Sequence, residues 1–378
     1  MTNPKNKMLC MLGGGQLGRF FVMSAQNLGY EVTVLDPNPK SPAGLIANIH
    51  ICARYDDKIA LDQIIGTCSA VTTEFENIPC DTLAYLENSL VVHPSAHAVS
   101  IVQNRIKEKN FLEDIKLPTG PFHVIKSKEH INLVPKNFYP AILKKAEFGY
   151  DGKGQIHVSN LKELDKAFVK LNHAPSILEK KLPLDIEVSV VIARSNTGNY
   201  TYFPVAENQH INGILETTIS PGRVSDSIAC QIKEYTHKIA KELNYVGVLA
   251  VEFFIVNGNI FVNEIAPRPH NSGHFSLDSC KNNQFDLQVR TLAELELLDP
   301  GFHTNTVMVN ILGDIWYKGG RIHDPNFDIL LDESNVNLHM YGKDEPRKGR
   351  KMAHFSVSGE NLTDLVLKAK TLKQKLVS

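Results

Sequence analysis

The sequence VEFFIVNGNIFVNEI, Val251–Ile265, determines how the middle of this chain folds. Two apolar runs flank Asn257-Gly258, a dipeptide that favours tight β-turns, so the stretch predicts a β-hairpin. Glu252 and Glu264 interrupt the apolar runs, and a buried carboxylate is costly unless it is paired. Since Mg²⁺ binds one or two protein carboxylates together with phosphate oxygens, we predict that these two glutamates are metal ligands.

The length of the turn tests this prediction. An odd number of turn residues places Glu252 and Glu264 on the same face of the hairpin, whereas a two-residue Asn-Gly turn places them on opposite faces. The metal site therefore requires an odd-length turn, and side chains that point apart would exclude it.

The segments around the hairpin predict three domains of α/β and α+β class. The first is an open parallel-sheet, Rossmann-like domain (1–97), because short apolar runs alternate with helical patterns there. Its predicted strands and first helix are Met8–Leu12, Arg19–Leu28, Glu31–Asp36, Ala70–Phe75 and Leu90–His93. Ser95 is the expected N-cap of one long helix that ends near Ile115.

The second and third domains are predicted at residues 98–300 and 301–378. The central one mixes strands and helices without simple alternation, and the last is small. The expected central elements are Ala141–Lys145, Leu161–Leu171, Ser176–Lys180, Glu187–Ala193 and Ser227–Leu243. The last domain contains a strand at Thr306–Leu312 and a basic stretch, Lys343–Lys351, before a final strand and helix.

Composition excludes several classes of protein. Forty basic and 41 acidic residues give a net charge of −1, which is not the pattern of a protein whose main partner is nucleic acid. The six cysteines contain no CxxC pair, so neither a zinc site nor a redox dithiol is indicated. Because no apolar run reaches membrane-spanning length, we expect a multidomain cytosolic enzyme.

A glycine cluster at residues 13–18, GGGQLG, lies between the first strand and the first helix. With Asp36 after the next strand it fits the dinucleotide-binding pattern. The pattern itself indicates only a place for a phosphate group, because glycines that expose amide groups at a helix N-terminus suit any phosphate. A nicotinamide cofactor, a phosphorylated substrate and a tight turn without a ligand all stay open on this motif alone.

A second glycine-rich segment follows Lys144 and contains Gly149, Gly152, Lys153 and Gly154. Such a mobile, cationic loop can close over a triphosphate and exclude water, although the same residues also suit an ordinary hairpin turn. Beyond the hairpin, Arg268 has the charge to brace a transferring phosphoryl group. His270 and His274 lack the spacing of a zinc site.

Six motifs together resemble the ATP-grasp superfamily and, within it, the 5-(carboxyamino)imidazole ribonucleotide synthases of purine biosynthesis. The motifs are GGGQLGR (13–19), TEFENIP (73–79), GYDGKGQ (149–155), YVGVLAVE (245–252), NEIAPRPHNSGH (263–274) and GRK (349–351). The resemblance implies three domains, a homodimer, and ATP with Mg²⁺ (or Mn²⁺) as cofactors. It also implies that bicarbonate is phosphorylated to carboxyphosphate and that the carboxyl group passes to aminoimidazole ribonucleotide.

Residue by residue, the resemblance implies three sets of contacts. Those with ATP are Arg105, Lys144, Gly149, Tyr150, Asp151, Gly152, Lys153, Gly154, Gln155, Glu179, Lys180, Lys181, Leu182, Glu187, His210, Asn263 and Glu264. Those with the ribonucleotide are Glu76, Tyr150, Asp151, Lys153, His270, Asn271, Lys343 and Arg350. Arg268, Asp151 and Lys153 are the expected catalytic residues, with Asp151 orienting or deprotonating the substrate amine.

Two departures and three alternatives accompany this interpretation. Glu147-Phe148 replaces the small or polar residues that the family often has before the glycine-rich loop. Lys153 stands where the family commonly has arginine, so the charge is kept but the planar fork is lost. The alternatives are another ATP-grasp ligase, such as a formate-dependent ribonucleotide transformylase or a biotin carboxylase, a nicotinamide oxidoreductase, and a nucleotide-binding protein without turnover.

Overall fold

The computed structural model describes residues 8–147, 154–318 and 320–377. The chain begins with a five-stranded, fully parallel sheet in the order β3-β2-β1-β4-β5, which confirms the predicted open parallel sheet. Its interior strands are almost entirely apolar because helices cover both faces. The elements are β1 (Met8–Leu12), α1 (Gln16–Asn27), β2 (Glu31–Leu35), β3 (Ile49–Ile51), α2 (Lys58–Thr67), β4 (Ala70–Thr73), α3 (Cys80–Glu87) and β5 (Val91–Val92).

The prediction of a single long helix after Ser95 is wrong. The structure has two helices there, α4 (Ala96–Val102) and α5 (Arg105–Asp114). Ser95 caps α4 as expected, through a hydrogen bond that its Oγ accepts from the amide of Ala98. Asn104 then caps α5, since its side chain accepts from the next two free amides. An asparagine that competes in this way for backbone donors starts a new helix and redirects the chain.

A four-stranded antiparallel sheet in the order β6-β9-β7-β8 forms the small lobe of the central region. Buried apolar side chains, among them Leu143, Phe168 and Leu178, pack its helices against the sheet. The elements are β6 (Phe122–Ile125), α6 (Lys128–Asn132), β7 (Ala141–Lys145), β8 (Gln155–Val158), α7 (Leu161–Lys170) and β9 (Ser176–Lys180).

A nine-stranded sheet forms the large lobe and continues into the C-terminal part of the chain. Its order is β15-β14-β10-β12-β13-β16-β20-β19, with β11 beside β10, and β16 pairs directly with β13. The strands are β10 (Ile186–Arg194), β11 (Tyr200–Tyr202), β12 (Ala206–Ile211), β13 (Ile214–Ser220), β14 (Gly247–Val256), β15 (Asn259–Ala266), β16 (Asn305–Leu312), β19 (Val336–Met340) and β20 (Lys351–Gly359).

The remaining elements pack on this sheet or beside it. A separate pair of short strands, β17 and β18, follows β16. These elements are α8 (Asp226–Glu242), α9 (Ser276–Ser279), α10 (Gln284–Leu292), β17 (Tyr317–Lys318), β18 (Arg321–Ile322), α11 (Asp328–Leu331) and α12 (Leu362–Val377). In the part of the chain that the structure describes, no helix has both the length and the apolar character needed to cross a membrane.

Candidate active site

The hairpin of β14 and β15 brings Glu252 and Glu264 directly opposite each other, but by a route that the sequence prediction missed. The turn contains only Asn257 and Gly258, since Val256 pairs with Asn259, so the prediction of an odd-length turn is wrong. A β-bulge after Glu252 corrects the register by one residue. Because one extra residue exchanges the faces of a strand, the bulge gives the two glutamates a common face.

The two opposed carboxylates of this hairpin have different electrostatic environments. Burial and the nearby charge of Glu264 raise the pKa of Glu252 to about 7. Burial also acts to raise the pKa of Glu264, but Arg105 and Lys144 outweigh it and hold that pKa below its usual range. Two buried carboxylates that disfavour each other's charge are stabilised by a cation between them.

Cationic side chains from α5 and the small lobe surround this pair. Arg105 Nη1 lies 3.2 Å from Glu264 Oε2. Lys144, at the end of β7, forms an ion pair with Glu179 on β9, and Lys109 Nζ lies 3.6 Å from the same carboxylate. Burial acts to raise the pKa of Glu179, yet the two lysines lower it to about 2.

A second carboxylate–imidazole pair lies beside the hairpin on the large sheet. His210 Nδ1 is hydrogen-bonded to Glu187, which raises the pKa of His210 although burial acts to lower it. His270 Nε2 lies 3.8 Å from Glu252 Oε1, and burial keeps the pKa of His270 well below its usual value. The pKa values of the two imidazoles that face the carboxylates are therefore shifted in opposite directions.

Arg268 connects the large lobe to the N-terminal domain. Its Nε donates to Glu76 Oε2 at 2.6 Å, and both side chains are largely buried. Glu76 follows β4, in the TEFENIP motif, so the pair spans 192 residues of sequence. The positive charge of Arg268 also helps to lower the pKa of Glu264, one of the two opposed carboxylates.

Some of the groups at the end of β9 that are predicted to contact the nucleotide already have hydrogen-bond partners within the protein. The Lys181 amide donates to the carbonyl of Pro140 at 2.9 Å, so that N–H is already used. Lys180 Nζ donates to the carbonyl of Asn137. Our prediction for this strand end therefore relies on the Lys181 carbonyl and on the backbone of Leu182.

Part of the predicted glycine-rich loop lies outside the described residues. Gly149, Tyr150, Asp151, Gly152 and Lys153 belong to that part. Gly154 has a positive φ of 74°, and Gln155 pairs with Lys144 as β8 begins. The described residues Lys144 and Gln155, on either side of that part, thus pair with each other, and Lys144 also forms the ion pair with Glu179.

The first glycine cluster already has internal carboxylates at its amide groups. Glu74 accepts hydrogen bonds from the amides of Gly15 and Leu17, and Asp36 accepts from the amide of Gly14 at 2.7 Å. These amides are the ones that the dinucleotide interpretation assigns to a pyrophosphate. Because carboxylates occupy them, the N-terminus of α1 does not offer the site that a nicotinamide cofactor needs.

The remaining predicted substrate contacts lie where the three parts of the chain meet. The side chains of Asn271 and Asn310 form two hydrogen bonds. Asn271 Nδ2 donates to Asn310 Oδ1 at 3.1 Å, and Asn310 Nδ2 donates to Asn271 Oδ1 at 2.6 Å. Lys343 Nζ donates to Gln16 Oε1 at 2.8 Å and to the Lys351 carbonyl. Arg350 donates to the backbone carbonyl of Glu345. The Lys343–Gln16 contact joins the basic C-terminal segment to the glycine cluster.

A buried histidine cluster lies behind these contacts. Tyr341 Oη is hydrogen-bonded to His354 Nδ1 at 2.9 Å, and His339 Nε2 lies 3.0 Å from Asp278. Asp278, His339 and His354 have the composition of a metal site. However, the two imidazole rings are stacked at 16°, so their nitrogen lone pairs, which lie in the ring planes, do not converge on one ion.

The cluster makes stability depend on pH. Burial, with neighbouring imidazoles, lowers the pKa of His274 and His354 well below 6.5, the ordinary value that they regain on unfolding. The stabilisation that these two residues contribute is fully present above that value and is lost as pH falls below it, because the unfolded state binds their two additional protons. Their contribution to the slope approaches about 2.7 kcal/mol per pH unit below about pH 5.5, measured by urea unfolding between about pH 7.5 and about 5.

Two histidine variants test this slope. His354→Gln is expected to lower the measured slope by about 1.4 kcal/mol per pH unit, because one proton is removed from the balance. The exposed His97→Gln is the matched control and is expected to leave the slope as it is. An identical slope in His354→Gln and wild type would contradict the assignment.

Three family models match the chain in succession. They are the ribonucleotide synthetase preATP-grasp domain (residues 6–103), the ATP-grasp domain (residues 110–285) and the phosphoribosylaminoimidazole carboxylase C-terminal domain (residues 306–367). A Bacillus subtilis protein named N5-carboxyaminoimidazole ribonucleotide synthase is 37% identical over 353 residues, which cover 92% of this chain and 90% of that protein.

Two solved structures share the fold. The Staphylococcus aureus N5-carboxyaminoimidazole synthetase, complexed with ADP, matches with a TM-score of 0.87 and 34% identity, over 97% of this chain and 96% of that one. The Aspergillus clavatus N5-carboxyaminoimidazole synthase, in complex with ADP and 5-aminoimidazole ribonucleotide, matches with a TM-score of 0.89 and 26% identity, over 98% of both chains.

Proposed function

Because the chain belongs to the family of N5-carboxyaminoimidazole ribonucleotide synthases, we propose that its cleft uses ATP to couple bicarbonate to 5-aminoimidazole ribonucleotide. The chain is an ATP-grasp ligase of purine biosynthesis, and its products are N5-carboxyaminoimidazole ribonucleotide, ADP and phosphate. The observation that carries this conclusion is the pair of opposed carboxylates, Glu252 and Glu264, surrounded by cations of two lobes.

We assign the metal to Glu252 and Glu264, with Mg²⁺ as the expected ion and Mn²⁺ as an alternative. The residues fit a divalent cation because both ligands are hard oxygens and because each carboxylate, when buried beside the other, requires a counter-charge. An ion held by these two residues would neutralise the charge that develops on the phosphate oxygens. Asn263, whose Nδ2 lies 3.4 Å from Glu252 Oε2, orients that ligand.

The nucleotide lies, in this proposal, between the small lobe and the hairpin. Arg105 and Lys144 neutralise its phosphates, and the segment from Glu179 to Leu182 contacts the base. The Glu187–His210 pair faces the metal carboxylates, and the hydrogen bond with Glu187 acts to raise the pKa of His210 on that side. The loop from Gly149 to Gln155 closes over the triphosphate and excludes water.

Bicarbonate attacks the terminal phosphate of ATP, and carboxyphosphate and ADP result. Arg268, held in place by Glu76, stabilises this anionic intermediate, because a guanidinium that is already oriented needs no reorganisation as charge develops. The amine of the ribonucleotide then attacks the carboxyl carbon, and phosphate leaves. Asp151 accepts the amine proton or orients the amine, and Lys153 neutralises charge nearby.

The ribonucleotide binds where the three parts of the chain meet. Its proposed contacts are Glu76, Tyr150, Asp151, Lys153, His270, Asn271, Lys343 and Arg350. The basic segment supplies the charge that a phosphate monoester requires.

We also propose that the chain acts as a homodimer in the cytosol and that its domains are residues 1–97, 98–300 and 301–378.

One assay separates this function from its alternatives. ADP release is expected to require bicarbonate and 5-aminoimidazole ribonucleotide together, because the metal, the cations and the ribonucleotide contacts lie in one cleft. The measurement is coupled detection of ADP with each substrate omitted in turn.

Three outcomes of that assay would contradict the proposal. ADP release with formate and glycinamide ribonucleotide would indicate a transformylase. A substrate-dependent change in NADH absorbance would indicate an oxidoreductase, and ADP release under no condition would indicate a binding protein.

A further inference from the structure

The outer edge of β15 carries an unusual pair of carbonyl groups at the bulge. Lys109 Nζ lies 2.8 Å from the carbonyl oxygen of Asn263 and 3.4 Å from that of Val262. In a regular strand, successive carbonyls point to opposite sides, so one ammonium group does not contact two of them in sequence. The contact of Lys109 with both therefore belongs to the bulged conformation and not to a regular strand.

Glu108 completes the same edge on the other side of Glu264. Its Oε1 accepts a hydrogen bond from the amide of Ile265 at 2.6 Å, and its side chain is buried. β15 is the last strand of the large sheet, and its outer edge makes only an isolated bridge between Val262 and Thr119, so within the described residues no further strand pairs with the backbone groups beside Glu264. The groups on both sides of Glu264, the carbonyl of Asn263 and the amide of Ile265, are thus bound by adjacent residues of α5.

We propose that Glu108 and Lys109 are positioning residues for the metal carboxylates, because they hold the bulge that places Glu264 opposite Glu252. This inference rests on the proposed function, since it takes these two glutamates as the metal ligands. Neither residue is part of the metal site itself. They act through the backbone of β15, while Arg105, on the same helix, contacts Glu264 directly.

The register of the hairpin explains why the bulge needs this support. From the turn as far as Phe253, the strands pair without a shift, and the same register would place Asn263 opposite Glu252. Glu264 would then lie on the other face of the sheet. Lys109 and Glu108 bind backbone groups that the bulge presents to α5, so they favour the register in which both carboxylates share a face.

Lys109 also links the metal strand to the small lobe. Its Nζ contacts Glu179, the carboxylate paired with Lys144, at 3.6 Å. One buried ammonium group therefore contacts the backbone beside Glu264 and a side chain of the proposed nucleotide site. This arrangement predicts that its loss weakens metal binding more than binding of the ribonucleotide, whose proposed contacts lie elsewhere.

Lys109→Met tests the proposal, with Lys107→Met as the matched control on the exposed side of the same helix. Binding of Mn²⁺ in the presence of ADP is measured by electron paramagnetic resonance. Removal of a group that orients a metal ligand typically weakens metal binding, so Lys109→Met is expected to raise the dissociation constant about tenfold or more. Lys107→Met is expected to bind as wild type does.

Kinetics of the intact enzyme distinguish positioning from a structural role. Lys109→Met is expected to raise the Mg²⁺ concentration needed for half-maximal rate, while KM for the ribonucleotide stays close to the wild-type value. If Lys109→Met had a lower melting temperature but bound Mn²⁺ as tightly as wild type, the residue would be structural only and the proposal would be overturned.

A pair of Glu108 variants covers the case in which Lys109→Met does not fold. Glu108→Gln keeps an oxygen that accepts from the Ile265 amide, whereas Glu108→Leu removes it. Glu108→Leu is expected to weaken Mn²⁺ binding and to speed hydrogen exchange at Ile265, and Glu108→Gln is expected to restore most of both. Equal Mn²⁺ affinity in the two variants would overturn the proposal.

Failure of the proposed function gives a different result. Wild type would then show no ADP release dependent on both substrates, or no binding of Mn²⁺ with ADP. Failure of the positioning role requires wild type to pass both tests and the Lys109 and Glu108 variants to bind Mn²⁺ normally.

Discussion

Glu252→Gln is expected to lower kcat/KM for carboxylation about a thousandfold, equivalent to about 4 kcal/mol of transition-state stabilisation. The amide keeps the size of the side chain but contributes no negative charge to the metal. The metal-free protein is expected to become more stable at neutral pH, because burial and Glu264 disfavour the ionised form of Glu252. Loss of activity with a gain in stability excludes misfolding as the cause.

Two further variants make this prediction specific. Glu264→Gln is expected to lose activity to a similar extent but also to lose stability, because Arg105 would lose its ion-pair partner. Glu207→Gln, on the same sheet but paired with the exposed Arg223, is the control and should remain active. Turnover of Glu252→Gln near the wild-type rate at saturating Mg²⁺ would contradict the assignment of the metal.

Arg268→Met is expected to abolish most activity and to lower the free energy of unfolding by about 3 kcal/mol. The substitution leaves Glu76 largely buried without its partner, at a position where burial would otherwise raise its pKa. We place the expected loss at the lower end of the range for buried pairs because the two side chains keep 17% and 24% of their exposure. Urea unfolding and ADP release measure the two effects separately.

The double variant Arg268→Met with Glu76→Gln separates the two roles of the arginine. Neutralising Glu76 removes the unpaired charge, so much of the lost stability should return. Activity should not return, because no cation remains to stabilise carboxyphosphate at that position. Recovery of turnover in the double variant would show that Arg268 supports the fold and does not act on the intermediate.

Strong periodic patterns allowed much of the fold to be predicted from the sequence. The parallel sheet of the first domain and the hairpin after Val248 follow from apolar runs and from turn residues, which act locally. The break between α4 and α5 was missed, because Asn104 interrupts an amphipathic pattern that otherwise continues to Ile115. The side chain of Asn104, as a helix cap, therefore determines where α5 begins.

The candidate site was harder to predict because its geometry depends on tertiary contacts. The bulge beside Asn263 has no local sequence signal, and only the buried position of two glutamates suggested that they share a face. Glu108 and Lys109 were overlooked because adjacent charges on a helix usually indicate a solvated face. The role of Glu74 as the acceptor for amides of the glycine cluster was not predicted either, although Glu74 lies two residues before Glu76 in the same motif.

The pairing of β13 with β16 makes the C-terminal part of the chain inseparable from the ATP-binding lobe. A protein truncated before Asn305 would leave β13 as an open strand edge, with unpaired amides and carbonyls that recruit other chains. Family boundaries near that residue therefore do not mark a place where the gene can be divided into independently soluble pieces. The small four-stranded sheet, in contrast, shares no strand with the large one.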